Sequence, residues 1–349
     1  MASAITTATL REWLERLLEG QSLSEQEARE LLTGLTAPEL APALAGALLA
    51  ALRAKGVTAA ELRGCAGAMR ALAVRPQLPD DVGGVDIVGT GGDRSGSLNL
   101  STGAALLAAA CGLAVFKHGN RSISSRAGSA DVLEALGLPL PLDEVAAGRC
   151  FAQTGFTFLF APYFHPAMKS IAPVRAALGV RTIFNILGPL SNPAEPPFHV
   201  IGAFNDATAE LMAQALSGMP IKRAFVIHGA GGWDEPTPIG PFMLFDVRPG
   251  SLVREQRAPA DYGLRQCSAE ELGGADAAHN AAALRRVLCG EERGAHRDAL
   301  LLGAALALEV TGREREPRMA VARAEQAIDG GAARGLLGKL QRFGASTAL

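Results

Sequence analysis

Two glycine-bearing loops carry the residues in this chain best suited to hold an anion. The first is Gly89-Thr90-Gly91-Gly92-Asp93 and the second Lys117-His118-Gly119-Asn120-Arg121; each directly follows a short apolar run that reads as a strand. Glycine has no Cβ, so backbone N–H groups can close on a phosphate, while the Lys and Arg add charge. Between the loops, Asn99-Leu100-Ser101-Thr102 opens an Ala-rich apolar helix. Hydroxyls and unpaired N–H groups therefore gather where the helix dipole also favours negative charge. Two such cradles predict a ligand with two phosphate groups. Ser122, Ser124, Ser125, Arg126 and Gly128-Ser129 extend the second loop with hydroxyls and a cation, and a solvated serine loop is the plainer alternative for that stretch.

A third constellation is acidic. Asp234-Glu235 lies in Gly231-Gly232-Trp233-Asp234-Glu235-Pro236, after a predicted strand. Adjacent carboxylates on an ordered loop suit Mg²⁺, which takes one or two carboxylates together with substrate phosphates and water; a solvated turn is the alternative. Arg175 falls in a helix-like stretch, 166–178, with Lys169, and by residue type alone it reads as half of a surface ion pair. Arg181 and Lys222 read as structural. No Gly-x-x-x-x-Gly-Lys-Ser/Thr, Gly-x-Ser-x-Gly or His-Glu-x-x-His run occurs, so P-loop hydrolysis, α/β-hydrolase chemistry and zincin chemistry have no support.

The elements that must position these residues fall into two kinds. Up to about residue 76 the chain reads as helices: Leu10, Trp13, Leu14, Leu17 and Leu18 share a helical face, and Ser24/Glu27 and Thr58/Glu61 match capping boxes. From residue 85 apolar runs at 85–88, 113–116, 156–160, 200–204 and 224–227 read as strands, separated by helices after Ser101, Ser129, Pro166 and Asp206. That alternation predicts an α/β domain with a mainly parallel sheet, whose ligands bind beyond the carboxyl ends of the strands. The Pro-rich stretch 188–197 reads as a connector, 242–265 as a β excursion around Arg248-Pro249-Gly250, and the tail from His279 as helical.

Composition removes several functional classes. With 349 residues and 48% hydrophobic content the chain can fill a sizeable core, and 33 Lys plus Arg against 35 Asp plus Glu leave a formal charge of −2. There is no global pull towards nucleic acid or anionic membrane, so any anion binding is local. Five widely spaced cysteines with no metal-ligand pattern suggest a reducing compartment. Without a signal-like or membrane-spanning run, the expected location is the cytoplasm.

The chain resembles the anthranilate phosphoribosyltransferases, of the nucleoside phosphorylase-like class III phosphoribosyltransferase fold. The resemblance runs over residues 10–338 and is carried by Asp86-Ile87-Val88-Gly89-Thr90-Gly91-Gly92-Asp93, Asn99-x-Ser101-Thr102, Lys117 to Arg121, Gly128-Ser129-Ala130-Asp131 and Arg181-Thr182-Ile183-Phe184-Asn185 through Gly188-Pro189-Leu190. It implies a small all-helical domain, residues 1–76 joined by a helical segment near 166–185, hinged to a larger α/β domain of residues 77–165 and 186–349. The active site then lies between them, and the helical domain forms a homodimer. It also implies that Gly89, Gly92, Asp93, Ser97, Asn99, Leu100, Ser101 and Thr102 line the phosphoribosyl pyrophosphate site. Lys117, His118, Gly119, Asn120, Arg121, Ser122, Ile123, Ser124, Ser125 and Ser129 complete that lining. Gly89, Asn120 and Arg175 would meet anthranilate, with His118 and His165 as lesser candidates, and Ser101, Asp234 and Glu235 would hold Mg²⁺. The resemblance thus reverses the reading of Arg175, since a guanidinium fork suits a planar carboxylate. Arg94 and Pro236 depart from the expected pattern. The rival readings are a pyrimidine nucleoside phosphorylase of the same fold and a non-catalytic, nucleic-acid-binding relative.

Overall fold

The computed structural model of the chain describes residues 5–79, 82–93, 95–121 and 126–347; Arg94, Ser122, Ile123, Ser124 and Ser125 lie outside them. Four helices come first: α1 (Thr7–Leu18), α2 (Glu25–Leu35), α3 (Pro42–Lys55) and α4 (Ala59–Ala71). Both predicted capping boxes form, at Ser24/Glu27 and Thr58/Glu61. On α1 the apolar face is narrower than its sequence suggests: Leu10, Trp13 and Leu17 are buried, while Leu18 is 65% exposed.

The rest of the chain alternates strands and helices: β1 (Val85–Gly89), α5 (Leu100–Ala110), β2 (Val115–Gly119), α6 (Ser129–Ala135), α7 (Glu144–Thr154) and β3 (Phe156–Phe160). Then come α8 (Ala161–Phe164), α9 (Met168–Leu178), α10 (Phe184–Leu187), β4 (Phe198–Gly202), α11 (Asp206–Ser217) and β5 (Arg223–His228). A hairpin follows, β6 (Phe242–Arg248) and β7 (Ser251–Arg257), turning at Gly250 with φ 69°, as the Pro-Gly pair predicts. The tail is helical: α12 (Ala277–Leu288), α13 (Ala295–Val310), α14 (Pro317–Asp329) and α15 (Ala332–Thr347).

The strands form one sheet in the order β3-β2-β1-β4-β5-β6-β7, with β1 to β5 parallel, β6 antiparallel to β5 and β7 antiparallel to β6. The order reverses between β1 and β4, which run in register from Val85↔Phe198 to Gly89↔Gly202. A parallel sheet opens a crevice at such a reversal, beyond the strand ends. Here the strand ends are glycines.

Two corrections concern the strands. The predicted strand 113–116 begins at Val115 and runs on through Lys117 and His118 to Gly119, so those residues are part of β2 rather than a loop. Their polarity suggested a loop, but β1 and β3 flank β2 on both sides and bury it. The strand expected at 200–204 lies two residues earlier.

Apolar packing forms two cores. One lies between the sheet and α5, α12, α13, α14 and α15. The other joins the N-terminal helices to the opposite sheet face: Leu48 and Leu62 share a cluster with Met212 and Leu216 of α11 and Val226 of β5. The segment carrying α9 returns to the helical lobe, where α9 packs on α3.

Candidate active site

The crevice is built from the first glycine loop outward. Gly91 and Gly92 take φ 72° and 81°, backbone that favours glycine, and Thr90 N donates to Gly202 O at 2.9 Å across the reversal point. A Cβ on Gly89 would come within 2.5 Å of Asp234 Oδ2. The acidic loop is thus pressed onto the glycine loop. Gly91 N–H and Thr90 Oγ1 donate to Asp234 Oδ2, and Asp234 N donates to Asp93 Oδ2 at 3.3 Å. Asp93 Oδ1 in turn receives Ser95 N at 3.1 Å, and Ser95 Oγ reaches Ser97 Oγ at 3.2 Å.

Glu235 faces the start of α5, where Ser101 N donates to its Oε1 at 3.2 Å. A carboxylate therefore occupies the positive end of that helix. Lys117 closes the floor. It is 1% exposed, donating through Nζ to Ile87 O at 2.5 Å and, at 3.4 Å, to Ser101 Oγ. The sequence suggests a loop cation; in β2 its ammonium lies beneath the cradle, with burial lowering its pKa and Asp86 and Glu235 opposing that fall.

Three carboxylates against one buried ammonium leave the site short of positive charge. Burial raises Asp234 well above the ordinary range, and the charges of Glu235 and Asp93 raise it further. Burial pushes Glu235 up to about 7 despite the counter-pull of Lys117. All the donors in reach are hard oxygens, Ser101 Oγ included, which suits a Mg²⁺ ion shared with substrate phosphates. Among the described residues no group of three or more His, Cys, Asp or Glu forms a complete metal cage. The donor set fits a cation that brings other ligands with it.

Asp86, at the base of β1, fastens the neighbouring elements. Its Oδ1 accepts from His118 N at 3.2 Å and its Oδ2 from Asn192 Nδ2 at 2.8 Å. Burial raises its pKa to about 6, with Lys117 and Asn192 resisting. His118 Nδ1 lies 3.2 Å from Gly188 O, and its ring meets that of His165 edge-on at 5.1 Å. A carbonyl partner makes Nδ1 the protonated nitrogen, leaving Nε2 with a free lone pair. Burial lowers His118 to about 3 and His165 to about 4, and Nε2 of each is buried without a partner among the described residues. Both imidazoles are neutral at physiological pH.

Arg175 is half-buried on α9, with its guanidinium 4.9 Å from the centroid of the Phe184 ring. It makes no ion pair with a carboxylate among the described residues, contrary to the reading from residue type alone, and burial lowers its pKa. Arg181, read as structural, reaches the site instead. Its Nη2 donates to Gly92 O, its guanidinium stacks 3.9 Å from the Phe204 centroid, and its carbonyl accepts from Arg53 of α3 at 2.8 Å.

The family model described as "Glycosyl transferase family, a/b domain" matches residues 81–334, and "Glycosyl transferase family, helical bundle domain" matches residues 11–73. The anthranilate phosphoribosyltransferase of Methylobacterium nodulans is 45% identical over 95% of this chain and 98% of its own. That of Desulforudis audaxviator is 45% identical over 96% of each. The chain belongs to the anthranilate phosphoribosyltransferase family. Among solved members, the Thermus thermophilus enzyme superposes with a TM-score of 0.88 at 43% identity, covering 95% of this chain and 99% of its own. The Saccharomyces cerevisiae enzyme in complex with PRPP and Mg gives 0.88 at 26% identity, covering 98% and 99%. The same yeast enzyme with 4-fluoroanthranilate gives 0.87.

Other residues expected to bind substrate in this family member are partly engaged. Asn120 is exposed, and its Oδ1 accepts from Arg121 N at 2.7 Å. Arg121 is paired with Asp131 and Glu134, on α6, rather than free. Ser129 Oγ donates to Asn120 O at 3.2 Å; a Cβ on Gly119 would strike it at 2.5 Å. Asn99 Nδ2 donates to Ala127 O, and its Oδ1 accepts from Asn280 of α12 at 2.9 Å. Thr102 Oγ1 is buried without a hydrogen-bond partner among the described residues. Asn192 and Asn280 escaped the sequence reading because nothing local marks them; only the Asn-Pro turn at 192–193 hinted at one.

Proposed function

We propose that the protein transfers the phosphoribosyl group of phosphoribosyl pyrophosphate to the amine of anthranilate, releasing pyrophosphate, in the synthesis of tryptophan. One observation carries the reading most: Asp234, buried, and Glu235, half-buried, are deficient in positive charge and bonded to the glycine-loop N–H and to the N-terminus of α5 at the sheet's reversal point. Such a site is suited to a pyrophosphate that arrives with a divalent cation.

In this reading Asp234, Glu235 and Ser101 hold Mg²⁺. The ion would neutralise charge developing on the departing pyrophosphate. Gly89, Gly92, Asp93 and Ser97 shape the first cradle, and Asn99 with Ser101 and Thr102 the second, while Lys117 supplies positive charge from below. Arg121, engaged with α6, acts by holding its loop. On the other substrate, Arg175 has no ion pair among the described residues and is backed by an aromatic face, an arrangement that suits the anthranilate carboxylate. His118, neutral and with Nε2 buried, adds no charge beside the attacking amine. An aromatic amine needs no prior deprotonation, so orientation and stabilisation of the leaving group supply the catalysis. Homodimerisation through the helical lobe fits the exposed Leu18, and sedimentation should give twice the chain mass. No helix among the described residues is long and apolar enough to cross a membrane.

The test is direct. With phosphoribosyl pyrophosphate and Mg²⁺, anthranilate fluorescence should fall in proportion to pyrophosphate released, and omitting Mg²⁺ should stop it. Unchanged fluorescence together with phosphate-dependent cleavage of uridine would replace this reading with a nucleoside phosphorylase; retardation of plain duplex DNA without turnover would replace it with a nucleic-acid binder.

A further inference from the structure

Away from the crevice, a cavity of about 250 Å³ opens where three parts of the molecule meet. Its walls come from α2 and α4 of the helical lobe, from Glu195 of the connector and from the turn Gly218–Pro220 after α11. Among the described residues four arginines line it, Arg29, Arg63, Arg70 and Arg75, against two carboxylates, Glu25 and Glu195. Each carboxylate is already engaged: Glu25 by Arg63 at 2.8 Å, Glu195 by Arg75 at 2.5 Å. Two positive charges remain over.

One surplus charge lies on Arg29; the other lies on the Arg70–Arg75 pair, which shares the single carboxylate of Glu195. Arg29 has no ion pair among the described residues, and its guanidinium lies over Gly67, where a Cβ would come within 2.6 Å of Nη2. Arg70 is 6% exposed; its Nε donates to Leu190 O at 2.8 Å, and Glu195 stands 3.9 Å from its Nη1. Arg63 lies over a second glycine, Gly218, where a Cβ would come within 2.8 Å of its Cδ. Two absent side chains thus make room for guanidiniums that would otherwise be displaced.

We propose that this cavity is a second anion site, taking a phosphate dianion, free or as the phosphate of a small phosphomonoester, between Arg29, Arg63 and Arg70. Guanidinium forks match phosphate oxygens in geometry, and the excess of two charges matches a dianion. The site is separate from the crevice yet linked to it. Arg70 holds Leu190, in the connector that also supplies Gly188 to His118 and Asn192 to Asp86. An anion there would tie the helical lobe to that connector.

The test is calorimetric titration of the full chain with inorganic phosphate and, separately, with glycerol phosphate. An Arg29→Gln/Arg63→Gln variant should lose one saturable phosphate site per chain that the wild type shows. Arg29→Gln alone, which breaks no ion pair, should weaken that site about tenfold while leaving the melting temperature in phosphate-free buffer unchanged. Tighter binding of glycerol phosphate would identify the natural occupant as a phosphomonoester, and tighter binding of inorganic phosphate as the free ion. Equal site number and affinity in wild type and Arg29→Gln, or no saturable phosphate site lost in the double variant, would overturn the proposal. Turnover of anthranilate is read separately: its absence in the wild type would refute the substrate assignment and leave the titration interpretable.

Discussion

Arg175 shows how little a residue type decides on its own. An arginine on a helix near a lysine is ordinarily a surface ion pair, yet this one is half-buried over Phe184 with no carboxylate partner among the described residues. Arg175→Ala should raise the anthranilate KM about tenfold to a hundredfold, the range for losing a charge-assisted contact, with the phosphoribosyl pyrophosphate KM nearly constant. Arg175→Lys should recover only part of the loss, because an ammonium cannot reproduce the fork. Steady-state kinetics with each substrate varied would check this, and equal losses for both substrates would move Arg175 from anthranilate to lobe closure. The acidic pair tells a complementary story, because its adjacency was legible in the sequence but its electrostatic state was not. Asp234→Asn/Glu235→Gln keeps shape and removes charge, so turnover should drop roughly a hundredfold or more. Wild-type rates at limiting Mg²⁺ would make the pair a simple turn.

At the level of elements, the pH dependence follows from where Glu235 sits. Its folded pKa is raised from 4.5 to about 7, first by burial. Its contribution to stability is therefore fully present below pH about 4.5 and is lost as the pH rises through about 7. The protein without substrate or cation should lose stability over that window, and Glu235→Gln should abolish that part of the loss, melting higher than wild type at pH 8 while failing to turn over. The buried histidines titrate the opposite way: depressed to about 3 and 4, His118 and His165 add stability above pH about 6.5 that is lost as the pH falls. Only the difference between variant and wild-type melting curves isolates Glu235, and parallel curves from pH 5 to 8 would contradict its half-buried, charge-starved setting. The same scale explains Lys117. Capping boxes, the Pro-Gly hairpin turn and β3 were readable because local residues decide them, whereas a Lys-His pair inside β2 is decided by the strands on either side. Lys117→Met should weaken phosphoribosyl pyrophosphate binding about tenfold to a hundredfold. It should also lower the melting temperature, since Asp86 and Glu235 lose their nearest buried cation. A loss of affinity with unchanged melting would return Lys117 to a solvent-facing cradle.

Across the whole molecule, the helical and α/β parts were visible as a change of periodicity near residue 76, but the way they share a core and a site was not, because it depends on residues far apart in sequence. Arg181 is the clearest instance: its carbonyl is held by Arg53 of α3, its guanidinium by Phe204, and its Nη2 holds Gly92 O. One side chain thus fastens the segment between α9 and α10 to the loop that shapes the first phosphate cradle. Arg181→Ala should free a glycine loop whose positive φ angles glycine adopts readily and whose form no side chain of its own fixes. The phosphoribosyl pyrophosphate KM should rise about tenfold while the anthranilate KM moves little, the reverse of the pattern for Arg175 only six residues away on the same segment. Arg181→Lys should not rescue it, because an ammonium cannot both stack flat on Phe204 and donate to Gly92. Should Arg181→Ala instead raise both KM values and leave the melting temperature unchanged, its role would be to set the approach of the two lobes rather than the form of the loop.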